Sequence, residues 1–187
     1  MAINTSSSDM KANMTPSTST GMLTGTFRDR DSAERGYNTL LERGYTQKDI
    51  NVMMSNETRD KHFKPTEHDT KLGNKSAEGG ATGAAIGGVT GVILGVLAAA
   101  GTLAIPGLGV VLAGPVVAGL AGLGAGGAAG GLIGALVGAG IPEERAKIYE
   151  TDLRNGGIVL GTKARSAEDA AYIEKAWREN HGENIYA

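Results

Sequence analysis

Four constellations in this chain of 187 residues contain the residue types that chemistry requires. Gly122-Leu123-Gly124-Ala125-Gly126-Gly127 matches GxGxxG, the glycine turn that lets backbone approach a dinucleotide pyrophosphate. That chemistry also needs a strand before the turn and an acidic residue about 20 positions later to hold a ribose. Glu143 and Glu144 fall near that distance, but no strand precedes the turn, so the match follows from glycine richness alone. His62, Glu67, His68 and Asp69 are metal-ligand types without metal-motif spacing, and they read as a solvated linker. Glu143 and Glu144 would suit paired acid–base work, but two carboxylates in a first helical turn more simply meet the positive end of the helix dipole. His181 reads as a cation at a helix C-terminus. There is no GxxxxGK[ST] phosphate loop and no nucleophile–base pair. No catalytic residue, cofactor, metal ligand or small-molecule site is therefore assigned, and the expectation is a protein that is not an enzyme.

Composition narrows the partners. A net charge of -2 argues against a general nucleic-acid binder. The absence of cysteine excludes disulfides and thiolate metal sites.

The strongest pattern is two glycine ladders. Gly79, Gly83, Gly87, Gly91 and Gly95 recur every fourth residue, as do Gly122, Gly126, Gly130, Gly134 and Gly138. Both lie in or at the edge of residues 81–141, which hold no charged side chain. Glycine at this spacing costs a helix about 1 kcal/mol per residue relative to alanine, but it lets helix backbones approach closely. Pro106 and Pro115 bracket a stretch in which Gly107 and Gly109 favour a turn. On either side remain about 25 residues, enough for a helix of about 38 Å that crosses about 30 Å of hydrocarbon. Lys61, Lys64, Lys71 and Lys75 precede the segment, and Arg145 and Lys147 follow it. The positive-inside rule then puts both flanks, and both termini, in the cytoplasm. With no ionisable group between 81 and 141, a proton or ion path is not expected. The expectation is a transmembrane glycine-zipper hairpin over 79–141. Its ladders contact each other and further copies of the chain, making it a homo-oligomer in a lipid bilayer. The alternative is a soluble or filamentous cytoplasmic assembly that buries the same helices as its core.

Around the hairpin the pattern is that of a small folded domain. Residues 1–21, rich in Ser, Thr and Asn, read as a disordered tail rather than a signal peptide. Residues 22–55 read as strand, helix, strand. Asp31-Ser32-Ala33-Glu34 resembles a capping box, Ala33, Tyr37, Leu40 and Leu41 share a helical face, and Gly44 is the C-terminal stop. Residues 56–78 read as a charged linker. Residues 142–187 read as a helix opened by Pro142 and stopped at Gly156-Gly157, a strand over 158–162, a helix capped by Ser166 and ended by Gly182, and an edge strand over 184–186. Each half is too short to bury a core alone. The simplest assembly is one α+β, ferredoxin-like sandwich split by the hairpin.

The stretch from Leu23-Thr24-Gly25-Thr26-Phe27-Arg28-Asp29 to Glu34, Gly44-Tyr45-Thr46, the glycine hairpin, and Gly140-Ile141-Pro142-Glu143-Glu144-Arg145-Ala146 with Tyr149-Glu150 resemble bacterial general stress or low-temperature-induced proteins. The resemblance covers most of residues 22–187. It implies a ferredoxin-like domain interrupted by a glycine-zipper hairpin, and a stress-linked bacterial role. Taken with the hairpin, the expectation is a protein of the bacterial inner membrane that stabilises or remodels the envelope under stress. It brings no catalytic residue. A membrane-anchored module that senses a ligand through its α+β domain is the further alternative.

Overall fold

The computed structural model describes residues 22–63, 103–105, 109–115, 131–138 and 140–187, together with Ile93, Gly95 and Leu97 individually. It is a mixed α+β fold. The strands are β1 (Met22–Phe27), β2 (Ile50–Ser55), β3 (Leu103–Ile105), β4 (Val110–Ala113), β5 (Ile158–Lys163) and β6 (Glu183–Tyr186). The helices are α1 (Arg30–Glu42), α2 (Asn56–His62), α3 (Gly131–Gly138), α4 (Glu143–Arg154) and α5 (Ala167–Glu179). The tail at 1–21 lies outside the described residues.

All strand pairs are antiparallel, in the order β3-β4-β2-β5-β1-β6. β5 lies between β1 and β2, pairing Phe27 with Ile158 and Met54 with Ile158 from its two sides. β1 and β2 are therefore parallel to each other and joined by α1, while β5 comes from the far end of the chain. Side chains alternate across the sheet. Leu23, Phe27, Ile50, Val52, Met54 and Leu160 bury one face against α1 and α5. Met53, Val110, Leu112 and Val159 bury the other against α3 and α4. Trp177 of α5 anchors the first face: its ring meets Phe27 edge-on at 5.7 Å, and its Nε1 donates to the Gly36 carbonyl at 2.9 Å.

Local signals were accurate at most helix ends. Gly44 takes φ +82°, with Gly44 N–H donating to Leu41 O and Tyr45 N–H to Leu40 O, the paired bonds of a left-handed stop. The Ser166 hydroxyl accepts from Asp169 N. Two ends differ. The cap of α1 is Asp29, whose carboxylate accepts from Ser32 N at 2.8 Å, and Asp31 falls inside the first turn. The stop after α5 is His181 at φ 61°, with Gly182 N–H returning to Trp177 O. Gly182 has another reason to lack a side chain, since a Cβ there would meet that carbonyl.

The larger differences lie between the two halves. The first part of the charged linker is α2, capped by Ser55 and with Thr58 buried. Residues 103–105 and 110–113, read as helix end and turn, are a β-hairpin that extends the sheet beyond β2. The reason is that β2 is buried and its outer edge needs hydrogen-bond partners. The β-branched run Val110-Val111 supplies them. Gly109 (φ +63°) makes the turn before β4. Gly114 (φ +107°) leaves β4 where any Cβ would collide with the Ile50 carbonyl. Among the described residues, no helix is long and apolar enough to cross a membrane.

Gly36 offers a test of the α1 packing. A Cβ there would lie 2.5 Å from Phe27 Cζ, and Phe27 is wedged against Trp177. Ala for Gly in a helix ordinarily stabilises by about 1 kcal/mol. Here Gly36→Ala is expected to destabilise by about 1–3 kcal/mol through overpacking. The readout is a lower urea midpoint at unchanged slope, and an unchanged or raised midpoint would contradict the packing.

Candidate functional site

The ladder residues that can be placed share one property. Ile93 and Leu97, four apart, are buried in the cluster beneath α1 and α5. Gly95 between them is exposed, and a Cβ there would meet nothing within 4 Å. On the opposite sheet face, Leu132 and Leu136 of α3 are buried. Gly134 likewise has open space at its Cβ position, Gly138 is exposed, and Val137 beside them is 43% exposed. The two helical stretches therefore sit on opposite sides of the sheet, each held by a leucine or isoleucine pair at one-turn spacing. At their described residues the two stretches lie on opposite faces of the sheet, so the contact expected between the ladders is not made there. Gly79, Gly83, Gly87, Gly91, Gly122, Gly126, Gly130, Pro106, Gly107 and the GxGxxG match lie outside the described residues. Of the expected turn residues, Gly109 does occupy a turn, and Pro115 is exposed just after β4.

Two buried polar clusters emerge that the sequence reading missed. The first lies on the α4 face at the outer edge of the sheet. Asp152, 5% exposed, accepts from the Thr26 hydroxyl and from Asn184 Nδ2 at 2.8 Å each through Oδ2. Its Oδ1 pairs with Arg28 at 3.2 Å. Arg28 also donates to Glu183 at 2.9 Å, and this bond, helped by the charges of Asp152 and Glu183, raises the guanidinium pKa further. Asp152 occupies the last turn of α4, where the dipole disfavours an anion, so these donors are what make its burial tolerable. One turn away, Tyr149 donates to the Asn184 carbonyl at 3.2 Å, leaving Thr24 as donor to the tyrosine oxygen at 2.5 Å. Burial, partly opposed by the Thr24 bond and Arg145, pushes the Tyr149 hydroxyl up to about 12. The cluster thus fastens β6 to β1 and α4 through side chains, where β6 has only two register pairs. Thr26 and Asp152 make a hydroxyl–carboxylate contact, but both are buried, so a substrate has no approach. The signal available in sequence was the Thr24/Thr26 alternation, which places hydroxyls on an inward face of β1.

The second cluster surrounds Glu34 on α1. The carboxylate is fully buried, and its Oε2 accepts from the Ile93 N–H at 3.1 Å. Arg30 Nε lies 3.7 Å from Oε1. The same guanidinium donates to the His62 carbonyl at 2.7 Å and lies over the Phe63 ring at 5.1 Å. Burial, and then the Glu34 charge, drives the neighbouring Tyr37 hydroxyl well above its ordinary pKa. The capping-box reading had placed Glu34 at the helix start. Its position three residues before Tyr37, on the apolar stripe, was the better signal.

The remaining candidates resolve into structural roles. Glu143 and Glu144 are exposed on α4's first turn. Lys147 bonds Glu143 at 2.6 Å, which lowers the carboxyl pKa, while no resolved contact pairs the two carboxylates. His62 ends α2, and Glu67, His68 and Asp69 lie outside the described residues. Among the described residues, no group of three His, Cys, Asp or Glu side chains is placed to hold a metal ion.

Two measurements follow from the Asp152 cluster. Asp152→Ala strands the Thr26 and Asn184 donors, leaves Arg28 to Glu183 alone, and is expected to cost about 2–3 kcal/mol. Tyr149 is harder to ionise folded than unfolded, so its contribution is complete below the ordinary tyrosine value of about 10. It is lost as pH rises toward about 12. Tyr149→Phe should therefore flatten the alkaline fall in Tm, and an unchanged slope would rule out this assignment. Comparison with protein-family models, curated proteins and solved structures found no match.

Proposed function

We propose that this chain is a non-enzymatic, self-associating protein whose domain presents its glycine helices outward to further copies of itself. The strand order β2-β5-β1-β6, with α1 and α5 on one face, supports a ferredoxin-like core. The observation that carries the reading is the orientation of Gly95 and Gly134, which point into open space while their helical neighbours Ile93, Leu97, Leu132 and Leu136 are buried. A helix surface without Cβ atoms gains by close contact with a second helix. In water, left alone, it only weakens its own helix. Val137 adds exposed apolar surface next to Gly138.

Parts of the uncharged segment belong to the domain's own sheet and cores, which supports a second copy rather than lipid as the principal occupant. The lack of any charge between 81 and 141 supports the membrane-anchored variant of the same reading, with both flanks in the bacterial cytoplasm. A stress-linked role rests on the sequence resemblance alone, and its placement at the envelope on the membrane-anchored variant.

The test is the mass of the protein without detergent, measured by light scattering, for the natural chain and for Gly95→Leu with Gly134→Leu. Both positions have room for a side chain within the chain, so Tm should hold or rise, each helix gaining about 0.5–1 kcal/mol. Oligomer mass should fall by at least half. A monomeric natural protein, or an unchanged mass in the variant, would sink the proposal. Flotation with liposomes separates the lipid-bound variant from the soluble one.

A further inference from the structure

We propose that Arg30 and Glu34 form a clasp that seats the helical stretch carrying Ile93 on the domain and thereby sets the outward direction of Gly95. The seating stands on geometry alone, and its link to assembly rests on the reading above. A carboxylate as buried as Glu34 is costly unless its partners replace water. One of those partners is a backbone N–H of the uncharged segment, Ile93. A backbone N–H is directional, so a bond to it fixes how the stretch is rotated as well as where it lies. Ile93 and Leu97 then face the core, and Gly95 is turned away.

Arg30 completes the device. Its Nε faces Glu34, its Nη1 holds the carbonyl at the end of α2, and its plane covers Phe63. A single pair one turn apart on α1 thus fastens two points that are distant in sequence, the His62-Phe63 end of α2 and Ile93. Hydrophobic contact turns the Ile93 and Leu97 face toward the core but tolerates small rotations and slips along the helix axis. The directional bond from the Ile93 N–H to Glu34 removes that freedom, and fixing register is the best-attested use of buried polar groups.

Hydrogen exchange on the full chain tests this. In Glu34→Ala, amides over residues 90–97 should exchange roughly tenfold faster by local opening. Peptides covering α3 and β5 should keep their natural rates. Glu34→Gln retains an oxygen acceptor and should show a smaller effect, while Arg30→Met should speed exchange at both 90–97 and the end of α2. Unchanged exchange at 90–97 in Glu34→Ala, or a uniform rise across the domain, would overturn the clasp. Should Glu34→Ala fail to fold, the other two variants decide, and natural rates at 90–97 in both would reject it. Oligomer mass is read separately. A monomeric natural protein removes the assembly reading but leaves the exchange result interpretable. Faster exchange in Glu34→Ala with unchanged oligomer mass would overturn the link to assembly.

Discussion

β5 must be paired on both sides, and most of the architecture follows from that requirement. All six of its residues pair with β1, Ile158–Thr162 also pair with β2, and five of the six are buried. A strand in this position cannot leave its backbone groups unbonded. β1 and β2 come from the first half of the chain and β5 from the second. Neither half has a complete sheet without the other, and the uncharged segment must leave and return within one fold.

A central strand apolar on both sides also demands cover on both faces. α1 and α5 cover one face, and their contact is fixed by Trp177 lying against Phe27 and Gly36. The other face is covered by α4 and by α3, a piece of the glycine-rich segment. The same segment contributes the hairpin beyond β2 and the Ile93–Leu97 contact beneath α1. The stretch that looks most foreign to a folded domain thus supplies part of its sheet and cores. Among its described helical residues, Ile93, Leu97, Leu132 and Leu136 face inward, while Gly95, Val137 and Gly138 are exposed.

Polar groups act where hydrophobic burial cannot specify position. Asp152 and Tyr149 hold β6, whose side chains are only partly buried and whose ladder is irregular. Glu34 and Arg30 hold the Ile93 stretch and the end of α2. In both clusters a carboxylate gathers donors from segments distant in sequence. Such contacts add less stability than the apolar core, but they select one arrangement among several that the core would accept.

Local order was legible from residue types. The strand at Met22–Phe27, the Gly44 stop, the Ser166 cap and the Pro142 opening all depend on interactions within a few residues, so the signals for them lie in neighbouring positions. The ladders, too, are a property of the sequence itself. What tertiary structure decided was each side chain's surroundings. Glu34 reads as a capping residue, because the Ile93 N–H that makes it a buried acceptor is brought by folding. Val110–Ala113 reads as turn between two prolines until the open edge of β2 requires a partner. The spacing of the glycines set which of them share a helical stripe, but only the packing of Ile93, Leu97, Leu132 and Leu136 on a two-faced sheet determined which way the described rungs look.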